Sequence, residues 1–393
     1  MIFSRYWFLS IGVWALTASS AVGGVPVTAQ SSGEEHIWAD SRDEEDAIAD
    51  SGFVIDEPEV EAYLQGVIAR LVEAEGIDPA FFRVKIIRDT SLNAFALPHG
   101  VVFIHSGLLA KMTNEAQLAT ILGHEITHVT HHHGYRGVKD HRTKGTMLAI
   151  VNVGSGAAGY YGGLVQVLGD LGATAAVSGY SRSLEREADQ VGWQRMLGAG
   201  YNLDAAPEVF RILMADIEQN GRAESFFFGT HPKLLDREEN FMRMNDRNKS
   251  AVGDDLGEFR FNEGILPILA INGELEMKAG RWIAARDQLW RYRVGSPNDP
   301  NARWLIAETE RRAGTEGNLD EARDLLIEAV ALDSRFAPAH RSLGLIYYKE
   351  GDWEGAARHL RTFLDLDTTA HDRAYLQAYL DQCEIKLASD SSD

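Results

Sequence analysis

The sequence has a single cysteine, Cys383, which rules out an intrachain disulfide and a zinc finger built on several cysteines. It is also poor in basic residues: 38 Lys and Arg stand against 58 Asp and Glu, for a formal net charge of −20. A nucleic-acid partner requires a basic surface, so this balance argues against one. The sequence also lacks the several long apolar runs of a protein embedded in a membrane.

The N-terminus is typical of an export signal. Arg5 precedes an uncharged apolar stretch over residues 6–18, and small residues then lead to Val27-Thr28-Ala29, which has the form of a cleavage site. We therefore predict a signal peptide over residues 1–29 and a periplasmic location; an earlier cut near Ala21 and a retained N-terminal anchor are the alternatives. The acidic residues 30–57 are interpreted as a flexible arm.

The chain of 393 residues is long enough for two or three domains. Apolar spacing predicts a helix beginning near Pro58, and alternation predicts strands over residues 82–87 and 101–104. Another helix is expected to open at Thr113 or Asn114, and a further one to run from residue 181 to residue 197. Residues 58–250 are therefore predicted to be a mainly helical domain with a small sheet.

Residues 145–169 carry no charge and are rich in small and apolar side chains. Their length could cross a bilayer, but many glycines and two polar residues interrupt the stretch. Mobile apolar helices or a loop over the active site are the favoured interpretation. A membrane-inserted hairpin, and with it peripheral membrane contact, stays as the alternative.

The C-terminal part contains an internal repeat. The glycine-led segments that begin at Gly280, Gly317 and Gly351 align at offsets of 37 and 34 residues, and the extra three residues fall around 313–316. A 34-residue period with small residues at helix contacts resembles the tetratricopeptide repeat. We expect a helical solenoid over residues 263–388, with a plain helical bundle as the alternative.

The motif H-E-x-x-H occupies residues 124–128. On a helix, His124 and His128 share a face and can reach one metal ion, and Glu125 can take a proton from a water at that ion. A third ligand is expected from the helix at 181–197, where Glu185 and Asp189 share a face; Glu187 is the alternative. Two histidines and one carboxylate with an open fourth position suit a catalytic zinc ion, one per chain.

Together, H-E-x-x-H and the later E-x-x-A-D resemble the gluzincin peptidases of the CAAX-prenyl-protease and heat-shock-protease type. The resemblance implies an α+β zincin-type peptidase domain in which His124, His128 and Glu185 bind zinc and Glu125 is the catalytic glutamate. It gives Asp189 two roles, either holding a ligand histidine or donating a proton.

Two further segments carry the resemblance. Residues 93–100 look like the family's segment that leads into a strand beside the cleft, except that His99 stands where a small residue is usual. Thr230-His231-Pro232 resembles a histidine-proline element, which implies that His231 is a gate or a transition-state donor; an ordinary loop histidine is the alternative. By contrast, we expect that His131, His132, His133 and His141 are helix-end cations rather than ligands.

The order of signal peptide, peptidase and repeats resembles the BepA-type periplasmic peptidases. It implies a zinc endopeptidase that acts on misfolded or misassembled envelope and outer-membrane proteins, with the repeats contacting the outer-membrane assembly machinery. The alternative is a repeat-based chaperone or assembly adaptor whose proteolysis is latent.

The signal-peptide prediction can be checked by N-terminal sequencing of the protein expressed in a bacterium. We expect the mature chain to begin after Ala29 or near Ala21, because the apolar run ends in small residues there. An intact Met1 on the exported protein would contradict it.

Overall fold

The computed structural model describes residues 27–144, 180–220, 234–248, 253–314 and 317–390. Most of the predicted signal peptide, the uncharged stretch 145–169 and His231 lie outside these ranges. The described part is mainly helical with one small sheet, which confirms the predicted fold class. None of its helices combines the length and apolar character needed to cross a membrane.

The N-terminal half carries the sheet and the first helices. Its strands are β1 (Val54–Ile55), β2 (Arg83–Ile87), β3 (Ala94–Ala96) and β4 (Val101–His105). Its helices are α1 (Ser32–Asp50), α2 (Pro58–Val72), α3 (Ser106–Lys111), α4 (Glu115–Thr130), α5 (His133–Lys144), α6 (Arg182–Gly198), α7 (Ala205–Asn220) and α8 (Leu234–Arg247).

In the C-terminal half, every described element is a helix, and short turns join one helix to the next. It contains α9 (Glu258–Gly264), α10 (Leu266–Lys278), α11 (Trp282–Gly295), α12 (Pro300–Arg312), α13 (Leu319–Leu332), α14 (Ala337–Glu350), α15 (Trp353–Leu366) and α16 (Arg373–Asp390).

The sheet has the strand order β1-β2-β4-β3. Strands β2 and β4 run parallel, with Ile86 beside Ile104, whereas β3 is antiparallel to β4, with Phe95 beside Phe103. Alternate side chains point to opposite faces, so Ile86 and Ile104 join the main core under α2 and α4. Phe95 and Phe103 lie on the other face and pack with Ile48 of α1.

Helix α1 corrects the expectation of a flexible arm over residues 30–57. Ser31 caps the helix, and Ile48 is fully buried against the outer face of the sheet. The other buried positions of α1 are polar: Glu34, Ser41 and Glu44. This face has no apolar stripe, so hydrophobic periodicity could not reveal that the acidic segment is a docked helix.

Pairs of antiparallel helices build the C-terminal half. α10 packs on α11, α12 on α13 and α14 on α15, and α16 covers α15. Gly280 and Gly351 adopt φ values of 73° and 81°, which end the first helix of their pairs in a left-handed turn. In the middle pair, Gly314 takes this conformation, with φ of 63°. The glycine aligned by sequence, Gly317, lies three residues later, where the extra residues were expected.

The two halves meet through buried polar groups as well as apolar ones. Ser106 donates to Asn272 Oδ1 at 2.7 Å, and Asn272 Nδ2 donates to Gln288 Oε1 at 2.9 Å. Arg291 reaches across to the carbonyl oxygen of Ala110 at 2.6 Å. The bonds from Ser106 to Asn272 and from Arg291 to Ala110 cross between the halves, so both would be lost if the halves separated.

Within the last helix pair, His340 and His359 are buried side by side, with 3.0 Å between their Nδ1 atoms. Burial, and then the charge that His340 would carry, lower the pKa of His359 from 6.5 to about 4. Below pH 6.5 the unfolded chain therefore binds a proton at His359 that the folded chain does not. This histidine makes the fold less stable as the pH falls from 6.5 to 4.

His359→Gln should therefore flatten the pH dependence of stability. We expect the melting temperature of the variant to fall less than that of the wild type between pH 6.5 and 4, because Gln has no proton to gain. Thermal unfolding followed by circular dichroism at several pH values measures this difference. Parallel curves for the two proteins would contradict the prediction.

Candidate metal centre

Helix α4 places the H-E-x-x-H residues in the middle of the domain. The side chain of Asn114 caps the helix by accepting from the N–H of Gln117 at 2.9 Å. Glu115 in the first turn accepts from Arg70 at 2.6 Å and from Tyr201 at 2.8 Å, which anchors this end to α2 and to the chain after α6. The helix is buried on all sides from Glu115 to Val129, so its side chains have little freedom to move.

The second helix of the centre, α6, approaches α4 backbone to backbone. A Cβ atom added to Gly192 would lie 3.0 Å from the carbonyl carbon of Gly123 and from the nitrogen of His124. A methyl group at either glycine would therefore push the helices apart. Because the contact is so close, a carboxylate on α6 can reach the imidazoles on α4.

Three side chains from the two helices converge on one point. The Nε2 atoms of His124 and His128 are 3.0 Å apart, and each lies 3.5 Å from a different carboxylate oxygen of Glu185. Ligands of a tetrahedral zinc ion, bound at about 2.0–2.1 Å, lie about 3.3 Å from one another. These three buried residues therefore fit a single zinc ion.

Asp189 binds His124 at the ring nitrogen that faces away from the convergence point. Nδ1–H of His124 donates to Asp189 Oδ1 at 2.9 Å, which leaves the Nε2 lone pair directed at the shared point. Burial raises the pKa of Asp189, but the guanidinium of Arg237 and the bond from His124 outweigh it and hold the pKa at about 2. Burial and the charge of Arg237 lower the pKa of His124 to about 4.

Arg237 on α8 is a functional candidate that sequence reasoning missed. Its Nη2 donates to Asp189 Oδ1 at 2.6 Å and lies 3.0 Å from Nδ1 of His124. The guanidinium is buried over the ring of Phe210. The sequence could have pointed to Arg237, because this residue lies four positions before Phe241, which is buried, and therefore on the same helix face. An arginine on an apolar stripe indicates a buried acidic partner.

Tyr180 is a second residue that was missed. Its ring stacks on the imidazole of His128, with centroids 3.8 Å apart and an interplanar angle of 14°. Burial raises the pKa of its hydroxyl, and the negative charges of Glu125 and Glu185 raise it further, so Tyr180 is protonated at neutral pH. The carboxylate of Glu125 is itself buried next to the two ligand positions of α4.

The structure also separates the two candidates for the third ligand. Glu187 is one-third exposed and pairs with Arg136, with an N–O distance of 2.8 Å, rather than with His124 or His128. Glu185 is buried at the convergence point. The expectation of helix-end cations is wrong for His133: it begins α5 and is fully buried, and burial holds its pKa well below the usual value.

Glu185→Gln should weaken zinc binding, because the neutral amide replaces the one anionic donor of the set. The measurement is zinc content by mass spectrometry after dialysis against a competing chelator. Glu187→Gln is the matched control two residues away and should retain one zinc ion per chain. Equal zinc retention in both variants would contradict the assignment.

Comparison with known proteins agrees with this geometry. Residues 58–244 match the model of Peptidase family M48. The chain is 28% identical over 186 residues to the beta-barrel assembly-enhancing protease of Escherichia coli, covering 46% of this chain and 38% of that protein. It is 30% identical over 175 residues to the mitochondrial metalloendopeptidase OMA1 of Schizosaccharomyces pombe, covering 44% of this chain and 50% of that protein.

A third relative, the metalloprotease LoiP of Escherichia coli, is 32% identical over 160 residues, which cover 40% of this chain and 60% of that protein. The chain thus spans less than two thirds of the length of each of these relatives. The match falls on the half that contains the sheet and the convergence point of His124, His128 and Glu185. Residues 58–244, just under half of the chain, are therefore similar to Peptidase family M48, and this segment contains the three side chains that fit a zinc ion.

Proposed function

We propose that this chain is a zinc endopeptidase of the bacterial periplasm that cleaves misfolded or misassembled envelope and outer-membrane proteins. The observation that carries the proposal is the buried convergence of His124, His128 and Glu185 around one point, with Glu125 beside it. The substrate class is supported by the similarity to a protease named for enhancing β-barrel assembly.

In this proposal His124, His128 and Glu185 hold the zinc ion. Bound zinc lowers the pKa of a water and polarises the scissile carbonyl group. Glu125 accepts a proton from the attacking water and passes it to the nitrogen of the leaving amine, which breaks the peptide bond. Asp189 keeps the ring of His124 in the orientation that directs Nε2 at the ion, and Arg237 compensates its negative charge.

Strand β3 supports an extended substrate. It pairs with β4 on one side, and among the described residues no strand pairs with its other edge. The strand also packs against α4, so a peptide added to this edge would run past the helix that carries His124 and His128. Main-chain hydrogen bonds at this edge would bind unfolded chains with little regard to their sequence.

The helix pairs α10 to α15 are proposed to be tetratricopeptide repeats that recruit substrates or assembly machinery, which divides the chain into a peptidase domain (58–250) and a repeat domain (263–388). Support comes from the 34-residue period and from the left-handed glycines that end the first helix of each pair. His231 is proposed as a gate or a transition-state donor on its sequence resemblance alone.

Glu125→Gln should strongly slow proteolysis without releasing zinc. We expect cleavage of a purified, unfolded outer-membrane β-barrel protein to slow by about 10²–10⁴-fold, the usual contribution of a general base. Gel electrophoresis with time measures the cleavage, and metal analysis checks the zinc content. The exposed Glu73 supplies the control, since Glu73→Gln should cleave at the wild-type rate.

The same variant tests the alternative of an adaptor with latent proteolysis. A cell that lacks its own copy of the gene should recover outer-membrane integrity with the wild type and not with Glu125→Gln if cleavage is the function. Full recovery with Glu125→Gln would instead indicate that the chain acts as an adaptor or chaperone through its helix pairs. Unchanged cleavage by this variant would overturn the peptidase mechanism.

A further inference from the structure

His128, the second ligand histidine, also has a hydrogen-bond partner at its Nδ1 atom. Nδ1 of His128 lies 2.9 Å from Nδ1 of His133, with the two rings nearly perpendicular at 76°. His133 has no exposed surface. The two residues are five apart in the sequence and belong to different helices, α4 and α5.

One of these two nitrogens must carry the proton of the hydrogen bond. For His128 to direct a lone pair from Nε2 at the convergence point, its proton must sit on Nδ1. His128 then donates to His133, whose Nδ1 accepts and whose own proton is on Nε2, 3.6 Å from the Glu187 carboxylate. His133 thus accepts a hydrogen bond from His128 in the same way that Asp189 accepts one from His124.

The turn between α4 and α5 has a strained backbone and directs the side chain of His133 back toward α4. His132, between the two helices, has a φ of 53°, a left-handed conformation that is costly for a residue with a side chain. Its N–H donates to the carbonyl oxygen of Val129 at 3.0 Å. The reversal lets the next side chain, His133, point toward the helix that the chain has just left.

Helix α1 contacts this turn through the side chain of Glu34. Oε1 of the buried Glu34 lies 2.5 Å from Nδ1 of His132, and Oε2 of the same carboxylate accepts from the N–H of Gln30 at 2.7 Å. Ser31 caps α1 at the same end. The N-terminal helix therefore reaches the connection between α4 and α5 with a carboxylate that is itself held in place.

We propose that His133 is a positioning residue for the metal ligand His128, and that α1 holds His133 in place through the contact of Glu34 with His132. The inference rests on the proposed zinc site. It assigns to α1 a part in metal binding although no residue of α1 is among the three that converge on the ion.

The first test compares two substitutions of His133. His133→Leu fills the buried space without an acceptor, whereas His133→Asn can present its amide oxygen toward His128. We expect zinc affinity, measured by competition with a chromogenic chelator, to fall about 10–100-fold in the Leu variant, as for other residues that orient ligands. The Asn variant should recover most of this loss.

The melting temperature distinguishes a space-filling role of His133 from a role in positioning His128. If His133 only fills space, the Leu variant should bind zinc like the wild type, and zinc should raise its melting temperature by the same amount. If His133 positions His128, the rise on adding zinc should shrink in the Leu variant and return in the Asn variant. His371→Leu is the control, because His371 is exposed in the segment between α15 and α16, outside the metal centre.

The second test addresses α1. Glu34→Gln should lower zinc affinity in the same assay, by less than His133→Leu, because the amide binds the imidazole of His132 more weakly than a carboxylate does. Glu35→Gln, one residue on and exposed, should leave the affinity unchanged. Wild-type affinity in Glu34→Gln would overturn the part assigned to α1.

These outcomes are distinct from failure of the proposed function. If the wild type binds no zinc, or if Glu185→Gln binds as tightly as the wild type, the zinc site itself is wrong. If those two proteins behave as expected while His133→Leu binds zinc with wild-type affinity, or His133→Asn binds no better than His133→Leu, the role of His133 alone is refuted.

Discussion

The metal centre depends on the direct backbone contact between α4 and α6 at Gly123 and Gly192. A side chain at this crossing would push the two backbones apart by at least a few tenths of an ångström and would move Glu185 away from the two imidazoles. The contact is made inside a core in which α4 is buried along almost its whole length. The chemistry therefore depends on two residues that have no side chain at all.

Much of this arrangement follows from local rules that a sequence displays. Helical spacing places His124 and His128 on one face, and it places Glu185 and Asp189 on another. Asn114 and Ser181 precede their helices at the cap positions where short polar side chains are favoured. The mainly helical fold with a small sheet was predictable for the same reason, since its long helices and alternating strands have clear periods.

The residues that sequence analysis missed are those that act over long distances in the chain. Arg237 lies 48 residues from Asp189, and Glu34 lies 98 residues from His132. Both are charged residues at buried positions, so composition suggests solvent exposure for each. His133 was misjudged because its neighbours in the sequence suggested a solvated histidine run, whereas a left-handed turn at His132 directs it inward.

The junction between the two halves has a mechanical consequence. The hydrogen bond from Ser106 to Asn272 crosses the junction and is directional and buried, and Gln288 holds the amide of Asn272 in place. The bond therefore forms at one relative orientation of the halves and is lost when they slide. The two halves should then turn together rather than independently. If the proposed function holds, a polypeptide bound by the helix pairs would reach the metal centre across a constant distance, and the length of its free segment would decide which peptide bond arrives there.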